Sequence, residues 1–367
     1  MRYRFVLIGG LVVAGYQSVA QVVNTATMDT LETTVLGHVA IGGYVDSYWN
    51  YNLTNPHAES IPYAVSSARN NEMTINLAYV DLRYRSHRMR ARFVPGFGTY
   101  MNDNYANETG TLKHLLEANV GILLSEKTKI WLDAGVLGSP YTNESAISKD
   151  HLMYTRSLAP ENVPYYLSGV KLSMQVSSRV NAYLYLLNGW QVIEDNNRGK
   201  SLGTQLEVRP GESLLVNWNT YWGDERSAWK PEYRTRMFSD MFVIYRPTQK
   251  VDVTSCVYLG QQQRKDLSSL RWWQANLIAR YHFTKRVSLS GRIEYFDDPD
   301  EALVTSANPF EGFSTYTTGG CFNLRITDNA LFRMEVRHYF AKGNIYEKAN
   351  GSTTFNTIVS GSLTAWF

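Results

Sequence analysis

The sequence predicts an all-β fold: a transmembrane antiparallel up-and-down β-barrel of the outer-membrane kind, with about sixteen strands. Three observations predict it. Alternating apolar and polar segments recur from about residue 37 to the end, with no amphipathic helix of any length between them. Short and long connections between those segments alternate without a break. The last stretch, Phe355 to Phe367, sets Phe367, Leu363, Val359 and Phe355 on one face against Thr364, Ser362, Ser360 and Asn356, and stops on an aromatic residue. The last strand of a soluble β-sandwich would read the same in isolation, so the connections carry the decision.

The elements follow in order. Val39, Ile41, Val45, Trp49 and Tyr51 alternate with His38, Tyr44, Asp46, Tyr48 and Asn50. Met73 to Arg85 is strand-like, but its facing is ambiguous in a way that suggests a bulge. In 88–99, Met89, Ala91 and Phe93 alternate with Arg88, Arg90 and Arg92. Glu117 and Asn119 oppose Leu116, Ala118, Val120 and Ile122, and Trp131, Asp133 and Gly135 oppose Leu132, Ala134 and Val136. Segments 166–176, 180–188, 202–208, 214–222, 237–245, 251–259, 273–283, 287–295, 316–326 and 332–336 continue the set.

Tight turns are expected at 86–87, 125–127, 177–179, 210–211, 247–250, 284–285 and 327–329. Long polar loops are expected at 54–70, 100–111, 138–163, 191–199, 223–234, 261–270, 297–314 and 341–353. A sandwich has no reason to place every long loop at one end, whereas outer-membrane barrels have short periplasmic turns and long external loops. The mean hydropathy of −0.30 does not count against a membrane, because alternating strands average their two faces.

The start of the chain reads as a secretory leader at 1–20: Arg2 and Arg4, an apolar run from Phe5 to Ala14, and Ser18-Val19-Ala20 before Gln21. Residues 21–36 are expected to be a short periplasmic tail or partial plug, and 37–367 a single barrel. There are 36 Lys and Arg, two of them in the leader, against 33 Asp and Glu. That near-neutral balance argues against a nucleic-acid partner. Cys256 and Cys321 read as strand residues rather than a disulfide framework.

Several stretches resemble a known family. Gly42-Gly43-Tyr44-Val45-Asp46-Ser47-Tyr48-Trp49-Asn50-Tyr51-Asn52 is similar to the first strand of the OmpL-like β-barrel porins of Bacteroidetes-type bacteria, and Asn76-Leu77-Ala78-Tyr79 to their second. Asp133-Ala134-Gly135-Val136-Leu137-Gly138-Ser139-Pro140 resembles their strand-end motif, although Tyr141 to Glu144 replaces the Gly-Glu that often follows. Tyr154 to Leu158, Pro164 to Gly169, and Asn188-Gly189-Trp190 with Asp195-Asn196-Asn197 extend the match over most of the mature chain. The resemblance implies a pore-forming barrel of the Gram-negative outer membrane and brings no defined substrate. It also implies outer-membrane lipids and the barrel-assembly machinery as partners, the latter through the strand ending at Phe367. By analogy with related porins, it implies a homotrimer.

If the apolar strand faces meet lipid, the charged residues sort inward, because charge on the lipid face costs about 2–4 kcal/mol near the midplane. Arg88, Arg90 and Arg92 are then expected as a basic ladder with about 6.6 Å per step. Arg292 with Glu294, and Arg333 with Glu335 and Arg337, join them as pore-lining candidates, with Lys171, Arg280, Arg325, Asp133, Glu117, Glu207, Asp240 and Asp252 as further lumen charge. Two readings stand: a field across the pore that orients small hydrophilic solutes, or interior ion pairs that hold the strands in register.

Other chemistry is weak. The acidic run Asp297 to Glu301 suits a solvated loop better than a calcium site. Gly199 to Gly203 matches G-x-S-x-G but sits between loop and strand, not at a strand-to-helix elbow. No zinc spacing, P-loop or dinucleotide fingerprint occurs, so no metal, cofactor or catalytic residue is assigned. The expected function is passive diffusion of small hydrophilic solutes and ions. A barrel with adhesive surface loops is the alternative, and a barrel hydrolase stands behind it.

Overall fold

The structure, a computed structural model, describes residues 34–36, 38–308 and 311–367. The leader at 1–20 and most of the 21–36 segment lie outside these residues. Sixteen long strands form the wall. They are β1 (Val39–Asn52), β2 (Met73–Arg85), β3 (Met89–Phe97), β4 (Leu115–Ser125), β5 (Ile130–Gly138), β6 (Tyr166–Ser177), β7 (Val180–Leu187) and β8 (Ser201–Gly211). The second half comprises β9 (Leu214–Asp224), β10 (Tyr233–Thr248), β11 (Val251–Arg264), β12 (Leu267–His282), β13 (Val287–Asp298), β14 (Phe313–Thr327), β15 (Ala330–Ala341) and β16 (Phe355–Trp366).

Each strand pairs antiparallel with its sequence neighbours, and β16 returns to β1 in the register Ile358↔Asn52 to Trp366↔Tyr44. The sheet is therefore a closed ring, which removes the unpaired edges an open sheet must protect. Gly43 and Phe367 exchange backbone hydrogen bonds of 3.1 and 3.0 Å at the seam. Thr34–Leu36 adds a three-residue strand against Val39–Ile41.

The closing strand alternates as its sequence predicts: Phe355 and Leu363 are exposed, while Asn356, Ser360, Ser362 and Thr364 are buried. Outward Val45, Phe93, Val120, Met241, Ile293 and Met334 are also exposed. A continuous apolar surface of this kind in water would be a large exposed patch; in a bilayer it is the buried face. Aromatic rings band the wall near the loop end. The Trp273 ring lies 5.0 Å from Tyr295, and Tyr295 lies 4.3 Å from Tyr316, which pairs with Phe340, itself paired with Phe355. Rings at that height suit the membrane–water interface.

Irregularities are local. Consecutive Asn76 and Leu77 are both buried where the register shifts opposite Asp46 and Ser47, so β2 does carry a bulge. Leu116 and Glu117 repeat this opposite Val94 and Pro95. The expected alternation in β5 breaks at Gly135, beyond which Val136 and Leu137 are both buried. Gly135 and its ladder partner Gly169 have φ of 129° and 150°. An added Cβ would lie 2.2 Å from the Ala118 carbonyl and 2.1 Å from that of Leu186, so only glycine fits either position.

The alternation of turns and loops holds with one correction. The 261–270 stretch is not a long loop, because β11 and β12 run on to a two-residue turn at Lys265 and Asp266, the latter with φ of 57°. Gln261 and Gln262 stay in the ladder (Met237↔Gln261, Arg236↔Gln262, Gln261↔Arg271, Gln262↔Leu270), showing a polar strand extended past the apolar band.

Candidate functional site: the lumen and its inward loop

The long β5–β6 connection, 139–165, does not stay outside. It folds into the barrel, burying Tyr141, Asn143, Ile147, Leu152, Met153, Tyr154, Leu158 and Ala159. A backbone inside a barrel needs polar partners, because an unpaired buried N–H or C=O costs about as much as a lost hydrogen bond. The wall supplies them. Asn219 Nδ2 donates to the Pro140 carbonyl at 2.9 Å, and Asp240 accepts from the Thr142 N–H at 3.0 Å. Asn143 Nδ2 donates to Thr254 and Asn276, both at 3.0 Å. Arg280 donates to the carbonyls of His151 and Leu152 at 2.6 and 2.7 Å.

Five of the sequence-predicted lumen residues complete this anchoring. Arg333 donates to the carbonyls of Ser148 and Met153 at 2.6 and 3.1 Å. Glu335 accepts the N–H groups of Tyr154 and Thr155 at 2.8 and 2.9 Å, and pairs with Arg292 at 2.9 Å. Arg292 in turn donates to the Thr155 carbonyl at 2.7 Å. Glu294 accepts the Leu158 N–H at 2.7 Å and pairs with Arg337, which donates to the Arg156 carbonyl at 2.9 Å. All five side chains are buried. They point inward, and their partners are the loop rather than free solvent.

The loop is tied at its far end too. Glu161 pairs with Arg156 at 2.8 Å and accepts the N–H groups of Val65 and Ser66 at 2.7 and 3.0 Å, joining the β1–β2 loop to it. Trp366 is half-buried with the Lys149 ammonium 5.3 Å from its ring centroid, so the loop also reaches the closing strand. The β3–β4 connection also tucks inward through a short helix, α1 (Thr99–Asn104). Tyr100, Met101 and Tyr105 are buried there, and Tyr105 stacks on Tyr166 at 4.1 Å. Glu108 holds this segment by accepting from the Tyr166 hydroxyl at 2.6 Å and the Ile193 N–H at 2.8 Å.

The three arginines of the expected ladder part company. Arg88 lies in the β2–β3 turn, exposed, and pairs with Glu126 at 2.8 Å. Hydrogen bonds from Arg88 and His87 hold the Glu126 carboxyl below the usual carboxylate range. The strand begins one residue later than the alternation implies, so the first rung falls outside the lumen. Arg90 chelates Asp133 at 2.6 and 2.5 Å. Arg92 chelates Asp81 at 3.1 and 2.7 Å and reaches Glu117 at 3.3 Å. Arg83, which sequence parity missed because of the bulge in β2, also pairs with Asp81, at 2.7 Å. Arg83, Arg90 and Arg92, with Arg85, Glu117, Asn119, Asp133 and Lys171, line a cavity of about 170 Å³ on the inner side of strands β2 to β6. Of the further lumen charges, Glu117, Asp133, Glu207 and Asp240 are buried, and Lys171, Arg280 and Asp252 half-buried. Arg325 is exposed near the turns.

A family model described as "Putative beta-barrel porin-2, OmpL-like" matches residues 38–367. The chain belongs to that family. It is an outer-membrane porin of the Gram-negative kind, and the turn end of its barrel is the periplasmic end. No curated protein matches the sequence. Solved structures of the same fold include the outer-membrane channel DcaP of Acinetobacter baumannii, at 9% identity and a TM-score of 0.61, covering 90% of this chain and 97% of that one. An anion-selective porin from Comamonas acidovorans matches at 8% identity and a TM-score of 0.58, covering 90% and 99%. The trimer form of in-vitro folded OmpT from Vibrio cholerae matches at 12% identity and a TM-score of 0.57, also covering 90% and 99%. At these identities the likeness concerns the fold.

The remaining sequence motifs have structural partners of their own in this porin. Asp298 accepts the N–H groups of Ala302, Leu303 and Val304 at 2.7–2.9 Å, so the acidic run orders its own loop. Ser201 opens β8 and accepts the Tyr221 hydroxyl at 2.7 Å, with no helix following. Cys256 and Cys321 are free and buried in β11 and β14. Among the described residues, no cluster of His, Cys, Asp and Glu could hold a metal ion.

Proposed function

We propose that this porin is a narrow diffusion channel for small hydrophilic solutes, without enzymatic activity, whose inward loop sets the bore and whose residual path runs along strands β2 to β6. The observation that carries the proposal is the division of interior charge. Arg292, Glu294, Arg333, Glu335 and Arg337 bind the loop to one side of the wall. On the other side, Arg90 and Arg92 with Glu117, Asp133 and Lys171 face the cavity. A barrel of sixteen strands is wide enough for an aqueous channel unless something fills it, and here a pinned loop fills part of it. Solutes then pass by size and by the field of the charged wall, with no energy coupling. The mature chain is proposed to be one barrel domain, assembled through its C-terminal strand and trimeric.

Planar-bilayer recording tests this. Purified, folded protein is expected to give stepwise currents that scale with bulk salt. Folded protein that inserts without producing steps would overturn the proposal.

A further inference from the structure

The two ends of the barrel carry opposite charge. The seven tight turns on the periplasmic side hold seven Lys and Arg against three carboxylates, all exposed. Lys127 and Lys129 share one turn, and Lys285 and Arg286 another. The extracellular connections, leaving aside the inward 139–165 loop, hold thirteen Asp and Glu against nine Lys and Arg. Charge sorted this way along the axis acts on every ion that enters.

The basic end continues inward. The cavity beside strands β2 to β6 brings Arg83, Arg85, Arg90, Arg92 and Lys171 together with Asp81, Glu117 and Asp133, two cations in excess. The excess falls on Arg85, exposed at the periplasmic end of β2, and on Lys171. Asp133, the carboxylate partner of Lys171, lies 3.7 Å away and is already chelated by Arg90. The Lys171 side chain is 13% exposed, so its charge reaches the cavity. Clefts lined by one sign of charge concentrate counter-ions.

We infer that the pore is polarised along its axis, with a periplasmic vestibule that collects small anionic solutes around Lys171. This rests on the channel reading above. Anions are the majority carriers at the basic end and cations at the acidic end. A bias that drives each inward from its own end fills the pore with carriers, and the opposite bias empties it, so the current rectifies. The effect belongs to low salt, since the screening length is about 10 Å at 0.1 M but about 3 Å at 1 M.

Single-channel recording of the full mature chain in neutral phosphatidylcholine bilayers tests it, with potassium chloride as the probe. At 0.1 M, currents at equal and opposite voltages are expected to differ by about twofold or more, converging near 1 M as screening removes the field. Replacing Lys127, Lys129, Lys285 and Arg286 by Gln, all on exposed turns, should bring the two currents together. Lys171→Met should lower the chloride-to-potassium permeability ratio read from the reversal potential. Conducting channels with equal currents at 0.1 M, or turn variants that rectify as strongly as wild type, would overturn the inference. Folded protein that gives no channels at all would instead overturn the channel reading beneath it.

Discussion

Gly135 and Gly169 face each other across β5 and β6, and each adopts a backbone conformation that a side chain forbids. The alternation read from the sequence stops at Gly135 for that reason, and nothing local announces it. A lone glycine in a strand pattern is an ambiguous signal, whereas two in register are legible only after pairing is known. Gly135→Ala should destabilise the barrel by roughly 1–3 kcal/mol, the cost of a residue forced into a sparsely populated conformation. Gly361→Ala is the matched control, because nothing lies within 4 Å of a Cβ there. Urea midpoints of the two variants in micelles check this; equal midpoints would contradict it.

At the scale of the element, the 139–165 loop is where sequence and structure part furthest. Its length and polarity marked it as a connection, and its internal sequence has no signal for direction. The wall held the clue. Arg292, Glu294, Arg333, Glu335 and Arg337 point inward from two strands, β13 and β15, which are not adjacent but flank β14. Charges this dense face water in an open lumen but need protein partners once buried, and all five are buried here. Sequence parity found all five residues, but it could not find the backbone carbonyls and N–H groups that occupy them, because those lie some 130 to 190 positions away in the chain. Removing one member of a buried charged pair costs about 3–5 kcal/mol, here drawn from the loop's attachment rather than from the barrel ladder. The double variant Glu294→Gln with Glu335→Gln should therefore keep a folded barrel and show a larger, noisier single-channel conductance than wild type. Unchanged conductance would mean that the loop does not limit the bore. The 261–270 stretch shows the opposite failure. Its polar composition suggested a loop, but hydrogen-bonded pairing continues outside the apolar band, where a strand has no need of apolar side chains.

Over the whole molecule the sequence was far more legible. Lipid outside and polar groups inside impose a period of two on every strand, and closure makes that pattern hold all the way round. The seam between β16 and β1 follows from the same logic: an even number of strands brings the last back beside the first, antiparallel. What the period cannot report is how much of the interior is left open, because that depends on loops returning from outside. Liposome swelling addresses the central claim most directly. Vesicles carrying the refolded protein, placed in iso-osmotic solutions of neutral solutes of graded size, should swell quickly with the smallest and progressively more slowly as size increases, then not at all. Vesicles that hold a fully folded barrel, verified by circular dichroism, yet admit none of the solutes would contradict the account of a loop-narrowed diffusion channel.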